Sequence, residues 1–269
     1  MSVKELSIKD RASLLSMFAH QCYQDPENLL VPREGVVDLS LLKKFLNKPK
    51  PPTFIEVDGA QAYVVSDATD VLVACRGTEP SEINDIIADA NFFPTRHHKA
   101  GWVHRGFYGE YQKVIGGIKD AIKQHDPKGT KTLWICGHSL GGAMALLVAV
   151  ELQPNGACHT FGQPRVGTQK FLDLIKFSYY RYRNNNDAVT VVPPTFFHMM
   201  YRHGGKLRYI NTYGNIRLFT WWQRCKDKFR GLWISAKKGQ FFDGFVDHSM
   251  SYYYSYISNM DDNGEQMPK

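Results

Sequence analysis

The chain has 269 residues, enough to bury a full α/β sheet in one domain, and its composition of 43% hydrophobic and 22% charged residues excludes a disordered chain. The formal net charge of +7 favours an anionic partner, but the basic residues form no recognised docking motif for nucleic acid, which is therefore not an expected partner. No apolar stretch reaches half the length of a membrane span. The N-terminal sequence MSVKELSIKDRASLL also lacks the features of a secretory signal. We therefore expect a cytoplasmic protein with at most peripheral membrane contact.

The predicted elements begin with a helical N-terminal extension over residues 1–52. Residues 8–22 and 39–46 have helical spacing, and the sequence NKPKPP at 47–52 ends the second helix. Strand-like and helix-like segments then alternate, which predicts a single α/β domain over residues 1–269 with a mostly parallel central sheet and helices on both faces. The predicted strands are 62–66, 71–75, 132–136, 158–161 and 179–183, and the predicted helices are 107–122, 141–152, 169–177 and 252–257.

The five cysteines do not suggest a disulfide framework. Their number is odd, and three of them lie in predicted buried strands, where a free cysteine behaves as a small apolar residue. Their spacing matches no metal-ligand pattern, and neither a metal nor another cofactor is expected. A reducing compartment suits this chain best. The cysteines are Cys22, Cys75, Cys136, Cys158 and Cys225.

The candidate nucleophile is Ser139, in the segment GHSLGG at residues 137–142. This G-x-S-x-G element directly follows a predicted strand and directly precedes a predicted helix. A serine on such a sharp turn needs small neighbours two residues away, and Gly137 and Gly141 supply them. The turn also places Ser139 at a helix N-terminus, where backbone N–H groups favour a developing negative charge.

A serine hydroxyl needs a base that takes its proton, and the base needs an acid that orients it. In the chain order serine, acid, histidine, the acid follows a strand downstream of the serine. Asp187 is the predicted acid because it ends the loop NNND after predicted strand 179–183. The other aspartates fit less well, since Asp173 lies in the middle of a predicted helix and Asp243 and Asp247 come late in the chain.

His248 is the predicted base, because it stands in a loop beyond the sheet elements and before the last predicted helix. Three other histidines that follow Ser139 remain alternatives. His159 lies inside a predicted strand, which suits a core residue, and His198 and His203 follow the acid closely.

The reaction also needs hydrogen-bond donors for the oxyanion close to the serine. The backbone N–H of Leu140, directly after the nucleophile, is one predicted donor. The second is Thr78, which follows predicted strand 71–75 in the turn RGT and offers both an N–H and a hydroxyl.

Six short blocks resemble the class 3 lipases, the family of the filamentous-fungal triacylglycerol lipases. They extend over roughly residues 62–257, and GHSLGG combined with GQPRVG is highly specific. The resemblance implies an α/β-hydrolase fold, an acyl-enzyme on Ser139 assisted by Asp187 and His248, and Thr78 with Leu140 as oxyanion donors. It also implies that His203, in the pair His-Gly, lies outside the triad. The blocks are CRGT (75–78), VHRGF (103–107), GHSLGG (137–142), FGQPRVG (161–167), ND (186–187) through PP (193–194), and DH (247–248).

The resemblance further implies a short helical lid, for which residues 79–89 are the candidate. Ser81 suits a helix N-cap, and Ile83, Ile86 and Ile87 share one face of the helix. A closed lid buries that face over the site, and an open lid offers it to lipid. The alternative is an ordinary surface helix packed on the core.

These features predict a serine hydrolase, a lipase or esterase, that acts on lipid esters such as acylglycerols. The alternatives are an acyltransferase or thioesterase with the same triad, a phospholipase acting on anionic membranes, and a non-catalytic lipid-binding module. The expected partners are the ester substrate and an anionic membrane or lipid interface.

The spacing of apolar residues over 217–234 predicts an amphipathic helix that is rich in basic and aromatic side chains. Gly231 is expected to end this helix. Basic side chains beside aromatic rings suit a helix that lies in an anionic membrane interface. The alternative is that its apolar stripe packs on the sheet. The stripe consists of Leu218, Trp222, Cys225, Phe229 and Leu232.

Overall fold

The computed structural model describes residues 2–33, 39–46, 50–77, 93–193, 201–237 and 247–260. The strands are β1 (Thr53–Val57), β2 (Ala60–Ser66), β3 (Asp70–Cys75), β4 (Pro94–Arg96), β5 (Trp102–His104), β6 (Thr132–His138), β7 (Ala157–Phe161), β8 (Ser178–Asn184), β9 (Lys206–Ile210) and β10 (Ile216–Arg217). The α-helices are α1 (Ile8–Gln21), α2 (Ser40–Leu46), α3 (Arg105–His125), α4 (Leu140–Leu152), α5 (Gln169–Leu172), α6 (Trp221–Lys237) and α7 (Met250–Ser258).

One sheet contains eight strands in the order β1-β2-β3-β6-β7-β8-β9-β10, and β4 pairs with β5 separately. The five neighbours from β3 to β9 run parallel, whereas β1, β2 and β10 join antiparallel. The carboxyl ends of the five parallel strands therefore meet at one edge of the sheet, called the carboxyl edge below. The predicted mostly parallel sheet with helices on both faces is confirmed.

The strands send alternate side chains into two apolar cores, one on each face of the sheet. On β2, Tyr63 and Val65 lie in the core shared with α1 and α7. Their neighbours Ala62 and Val64 lie in the core shared with α3 and α4. Strands buried on both faces carry continuous apolar runs, which is why β3 and β6 are recognisable in the sequence.

The N-terminal helix α1 is part of the first core. Leu14 and Phe18 are fully buried, and α1 packs against α7 and β6. The chain before α1 is bound to the sheet through the buried Asp70 carboxylate. This group accepts hydrogen bonds from the Val3 N–H at 3.0 Å and from the Trp134 indole N–H at 2.8 Å.

Several elements differ from those expected. The predicted strands do not include β1, β4, β5, β9 and β10, because these short strands contain no continuous apolar run and belong to the outer parts of the sheet or lie outside it. Helix α5 ends at Leu172, whereas the sequence predicts a helix over 169–177.

The amphipathic helix predicted for residues 217–234 is α6, which begins at Trp221 and continues to Lys237. Arg217 lies in β10 instead, and Gly231 does not end the helix, so the prediction is corrected on both points. The alternative in which the apolar stripe packs on the sheet is wrong for three of its members. Leu218, Trp222 and Phe229 are 48%, 69% and 73% exposed. No helix in the described ranges, α6 included, is long and apolar enough to cross a membrane.

Candidate active site

Ser139 lies on the tight turn between β6 and α4, at the carboxyl edge. Its backbone has φ 57° and ψ −126°, a conformation that costs a non-glycine residue about 1–3 kcal/mol. The Ser139 N–H donates a hydrogen bond to the Phe161 carbonyl at 3.0 Å. A Cβ on Gly137 would meet the backbone of Gly141, and a Cβ on Gly141 would meet the Cys75 carbonyl. Only glycine fits at either position, for the steric reason that the sequence suggests.

Leu140, the predicted oxyanion donor, is the first residue of α4. Backbone N–H groups in the first turn of a helix have no acceptor within the helix, so they suit a developing anion. The other predicted donor, Thr78, lies outside the described residues, as do the candidate lid at 79–89 and Pro194. These remain predictions.

His248 and Asp187 form a buried pair. The His248 Nδ1 lies 2.9 Å from the Asp187 Oδ2, and the two side chains are 1% and 0% exposed. The second ring nitrogen of His248, Nε2, is buried and has no hydrogen-bond partner among the described residues. A histidine held in this way keeps its proton on Nδ1 and presents Nε2 as a base.

The Asp187 carboxylate accepts two further hydrogen bonds. The Tyr253 hydroxyl donates to Oδ2 at 2.6 Å, and the Val189 N–H donates to Oδ1 at 2.9 Å. The Tyr253 oxygen in turn accepts from the Asn184 N–H at 2.8 Å. No sequence pattern distinguishes Tyr253, because it is one of several tyrosines on α7.

Gly162 lies against the Asp187–His248 pair. It has φ +58°, and a Cβ there would approach the His248 Cε1 to 2.8 Å and the Asp187 Oδ2 to 2.9 Å. The next residue back in the chain, Phe161, accepts the hydrogen bond from Ser139. Gly162 therefore lies against the predicted base and acid, and its chain neighbour Phe161 is hydrogen-bonded to the backbone of the predicted nucleophile. Its position in the FGQPRVG block was the available signal, but the sequence alone assigned it no role.

His138, directly before Ser139, fixes the backbone of His248. Its Nε2 lies 2.7 Å from the His248 carbonyl, and its Nδ1 lies 2.8 Å from the Tyr23 hydroxyl. Burial, with the neighbouring His248 ring, lowers the pKa of His138 well below its ordinary value. In the neutral ring Nε2–H donates to the carbonyl, and Nδ1 accepts from Tyr23 on the segment after α1.

The alternative histidines occupy other positions. His203 Nε2 lies 2.7 Å from the Thr190 carbonyl, and the Thr190 hydroxyl donates to the Asp187 carbonyl at 2.8 Å. Burial, followed by the nearby Arg181, lowers the pKa of His203 well below its ordinary value, so this ring supports the acid loop as a neutral group. His159 is buried in the first core against tyrosine rings, as expected of a core residue. His198 lies outside the described residues.

Two of the alternative acids lie in the described part of the chain, and neither is the carboxylate recorded beside the His248 ring. Asp173 is exposed and accepts a hydrogen bond from the Gln169 amide at 2.9 Å. Asp247 contributes its backbone carbonyl to the site, accepting from the Asn184 amide at 2.9 Å. Asp243 lies outside the described residues. Within the described ranges, no group of three His, Cys, Asp or Glu residues is arranged to hold a metal ion.

The loop that carries the predicted acid is bound to α6 by polar contacts. Asn185 donates to the Asp227 carbonyl at 3.3 Å and accepts from the Tyr209 hydroxyl at 2.7 Å. The Asp227 carboxylate, on a residue 2% exposed, accepts from the Thr212 N–H at 3.1 Å. The inward face of α6 is therefore polar.

Gly231 allows α6 to approach the same loop closely. A Cβ at this position would lie 2.6 Å from the Asn185 amide nitrogen and 2.7 Å from that of Asn186. A side chain at residue 231 would therefore displace the two asparagines that directly precede Asp187, the acid of the candidate triad.

Comparison with known proteins gives the following relatives. The family described as Lipase (class 3) matches residues 72–197, which confirms the resemblance over that stretch. Toxin TseL of Vibrio cholerae serotype O1 is 28% identical over 171 residues, covering 59% of this chain and 26% of that protein. Secreted mono- and diacylglycerol lipase 1 of Fusarium solani is 34% identical over 158 residues, covering 54% of this chain and 46% of that protein. The chain thus spans less than half the length of either relative.

The solved structure of Rhizomucor miehei lipase in its native propeptide complex has a similar fold. Its TM-score is 0.60 at 25% identity, and the match covers 75% of this chain and 68% of that one. The chain therefore has the α/β-hydrolase fold.

Proposed function

Since residues 72–197 match the class 3 lipases, we propose that this chain is a serine hydrolase that cleaves lipid carboxylic esters with Ser139, Asp187 and His248. The observation that carries the proposal is the buried His248 Nε2. It has no partner among the described residues, while Nδ1 lies 2.9 Å from Asp187. At His248 the atom without a partner is the ring nitrogen opposite the one that lies against a buried carboxylate, which is the arrangement of a general base.

In the first half of the reaction, His248 Nε2 takes the proton of the Ser139 hydroxyl as Oγ attacks the ester carbonyl carbon. The oxyanion of the tetrahedral intermediate accepts a hydrogen bond from the Leu140 N–H, at the N-terminus of α4, and a second one from Thr78. The bond between the carbonyl carbon and the alcohol oxygen then breaks. The alcohol leaves with the proton from His248, and the acyl group remains on Ser139.

In the second half, a water molecule gives a proton to His248 and attacks the acyl carbon. The bond to Ser139 Oγ breaks, the serine regains its proton from His248, and the carboxylic acid leaves. Asp187 stays ionised throughout and stabilises the imidazolium that forms twice in the cycle.

Ser139→Ala tests the nucleophile. Hydrolysis of p-nitrophenyl butyrate and labelling by a fluorophosphonate should both fall to background, because the variant lacks only the attacking oxygen. The unfolding midpoint measured by circular dichroism should change little, which separates lost chemistry from lost folding.

A matched control is Ser16→Ala, which removes a buried serine hydroxyl in α1 that donates to the Ser13 carbonyl at 3.0 Å. This variant should keep the wild-type kcat. Fluorophosphonate labelling of Ser139→Ala at the wild-type level would reject Ser139 as the nucleophile.

The same triad would serve an acyltransferase or a thioesterase, and product analysis separates these activities. An acyltransferase delivers the acyl group to glycerol or a free thiol added in excess, whereas a hydrolase delivers it to water. A thioesterase releases the acid faster from a thioester than from the matching oxygen ester. For the substrate class we propose acylglycerols, in line with the name of the Fusarium solani relative. Rates on p-nitrophenyl esters of increasing chain length, measured beside phospholipid vesicles, define the acyl and head-group preference.

We also propose a reducing, cytoplasmic location. All five cysteines are free, and burial raises the pKa of the Cys75, Cys136 and Cys158 thiols, which keeps them protonated and unreactive. The Fusarium solani relative is named as secreted, which makes an extracellular location the competing outcome. Fractionation of producing cells distinguishes the two locations.

A further inference from the structure

The outward face of α6 carries large apolar side chains that no described part of the chain covers. Twelve large apolar side chains are exposed in the described residues, and five of them lie between residues 213 and 229. Trp221 and Trp222 are 60% and 69% exposed, with ring centroids 4.6 Å apart, and Phe229 is 73% exposed. Apolar groups concentrated in this way mark a contact surface, whereas single exposed ones do not.

The orientation of α6 results from its polar contacts with the acid loop. Asp227 faces inward, where its carboxylate also lies 3.1 Å from the Tyr209 hydroxyl, and Gly231 lies against Asn185. Because the polar side of the helix is used inside the protein, the aromatic side faces solvent. Among the described residues of α6, Trp222 and Phe229 are therefore exposed to an external partner.

Basic residues accompany the aromatic ones. The segment from residue 217 to residue 231 contains a single acidic residue, Asp227, and that carboxylate is buried. In the described part of the chain, none of the basic residues of this segment takes part in an ion pair. The surface thus combines apolar side chains with uncompensated positive charge. The basic residues are Arg217, Arg224, Lys226, Lys228 and Arg230.

Helix α6 lies on the same side of the molecule as the candidate active site. Its inward contacts, Asn185 and Thr212, follow β8 and β9 at the carboxyl edge. Ser139 follows β6 at that edge. A planar surface that binds α6 therefore lies beside the catalytic residues.

We propose that the outward face of α6, together with Tyr213 and Leu218, docks this protein on an anionic lipid bilayer. The inference rests on the proposed function, since docking brings the active site to lipid esters. Aromatic side chains enter the interface between head groups and acyl chains, and the flanking lysines and arginines bind the anionic head groups. A second copy of the chain fits this surface poorly, because an isologous contact would bring like charges together.

The experiment measures sedimentation with vesicles of phosphatidylcholine, with and without phosphatidylglycerol, in a Ser139→Ala background that prevents hydrolysis. The parent should bind the anionic vesicles more tightly than the neutral ones, and added salt should weaken this binding. Replacing Lys226, Lys228 and Arg230 with Gln should weaken binding to anionic vesicles on the order of a hundredfold. The pair Trp222→Ser and Phe229→Ser should weaken binding to vesicles of both compositions.

The matched control replaces Lys123, Lys128 and Lys176 with Gln, which removes the same charge from exposed positions just before β6 and β8, at the opposite edge of the sheet. Its vesicle binding should stay close to that of the parent. Equal weakening by both triple variants would show that net charge alone is responsible and would overturn the proposal. So would unchanged binding in the α6 variants, or a dimer that the Trp222 and Phe229 changes convert to a monomer in light scattering.

In the Ser139-containing protein, the α6 variants should hydrolyse p-nitrophenyl butyrate at the wild-type rate. If the wild type itself fails to hydrolyse this ester, the proposed function fails, whatever the vesicle measurement gives. If only vesicle binding fails, the esterase proposal stands and the docking surface is rejected.

Discussion

At the scale of single residues, the buried Asp187 carboxylate is tolerable because several donors surround it. An isolated buried charge costs several kcal/mol, whereas each hydrogen bond to a charged group contributes about 1.5–3 kcal/mol. His248, Tyr253 and Val189 supply three such bonds. The donors therefore offset the desolvation and also fix the direction in which the carboxylate holds the histidine ring.

Gly162→Ala tests how closely the pair is positioned. The new methyl group would lie less than 3 Å from both His248 and Asp187, so one of them must move. Displacing a reacting group by an ångström can cost about a hundredfold in rate, and we expect a loss of that order in kcat on p-nitrophenyl butyrate.

The control for backbone strain is Gly59→Ala. Gly59 also has a positive φ, +82°, but a Cβ there has nothing within 4 Å. This variant should lose on the order of 1 kcal/mol of stability and keep its kcat. A Gly162→Ala enzyme with the kcat of Gly59→Ala would mean that the pair does not depend on close contact with residue 162.

At the scale of elements, the position of Ser139 depends on α4. This helix is apolar on all sides, and its residues from Gly141 to Val150 are buried. Such a helix is stable only inside a core. The serine is therefore attached to a well-packed part of the molecule, which can hold the strained φ of 57°.

A second element-scale prediction concerns the contact between α6 and the acid loop. Gly231→Ala should raise helix propensity by about 1 kcal/mol, but its Cβ would lie within 2.7 Å of two asparagine side chains. Both asparagines are buried, and Asn185 is held by hydrogen bonds to the Asp227 carbonyl and from the Tyr209 hydroxyl, so their amides cannot move away freely and the clash should prevail. We expect a lower unfolding midpoint and a lower kcat.

Gly116→Ala in α3 is the matched helical control, because a Cβ there meets nothing within 4 Å. It should stabilise the protein by about 0.5–1 kcal/mol without changing kcat. If Gly231→Ala behaves in the same way in thermal unfolding and in assay, α6 does not support the acid loop.

At the scale of the whole molecule, buried histidines make stability depend on pH. Burial lowers the pKa of His159 to about 3, and burial also lowers the pKa of His97 and of His104 to about 4. In the unfolded chain these rings titrate near pH 6.5. Below that pH the unfolded state binds more protons than the folded state, so stability is complete above pH 6.5 and declines as the pH falls towards 4.

Urea unfolding at a series of pH values should therefore give a free energy that decreases below pH 6.5, by up to about 1.4 kcal/mol per pH unit for each such histidine. His159→Phe keeps a ring against Tyr180 and Tyr182 but removes the titrating group. The free energy of unfolding should then fall less steeply with pH, by the amount that corresponds to about one bound proton. An identical slope in wild type and His159→Phe would contradict the assignment.

The sequence by itself determined the features that depend on local spacing. Continuous apolar runs mark β3 and β6, and the glycines around Ser139 mark a strand-to-helix turn, because steric crowding there acts between residues two positions apart. Ser139 and Asp187 were assigned from turns that directly follow predicted strands, and His248 from the chain order serine, acid, histidine. Edge strands such as β1 are not recognisable in the sequence, because a half-exposed strand contains few consecutive apolar residues.

Only the tertiary structure decided which distant residues surround the site. Tyr253 meets Asp187 across 66 positions of sequence, and His138 meets the His248 carbonyl across 110, because parallel strands end at one edge of the sheet. The amphipathic sequence pattern of α6 is likewise compatible with an apolar stripe that is buried and with one that is exposed. Its inward contacts through Asp227 and Gly231 turn the aromatic side outward, and no periodicity in the sequence contains that information.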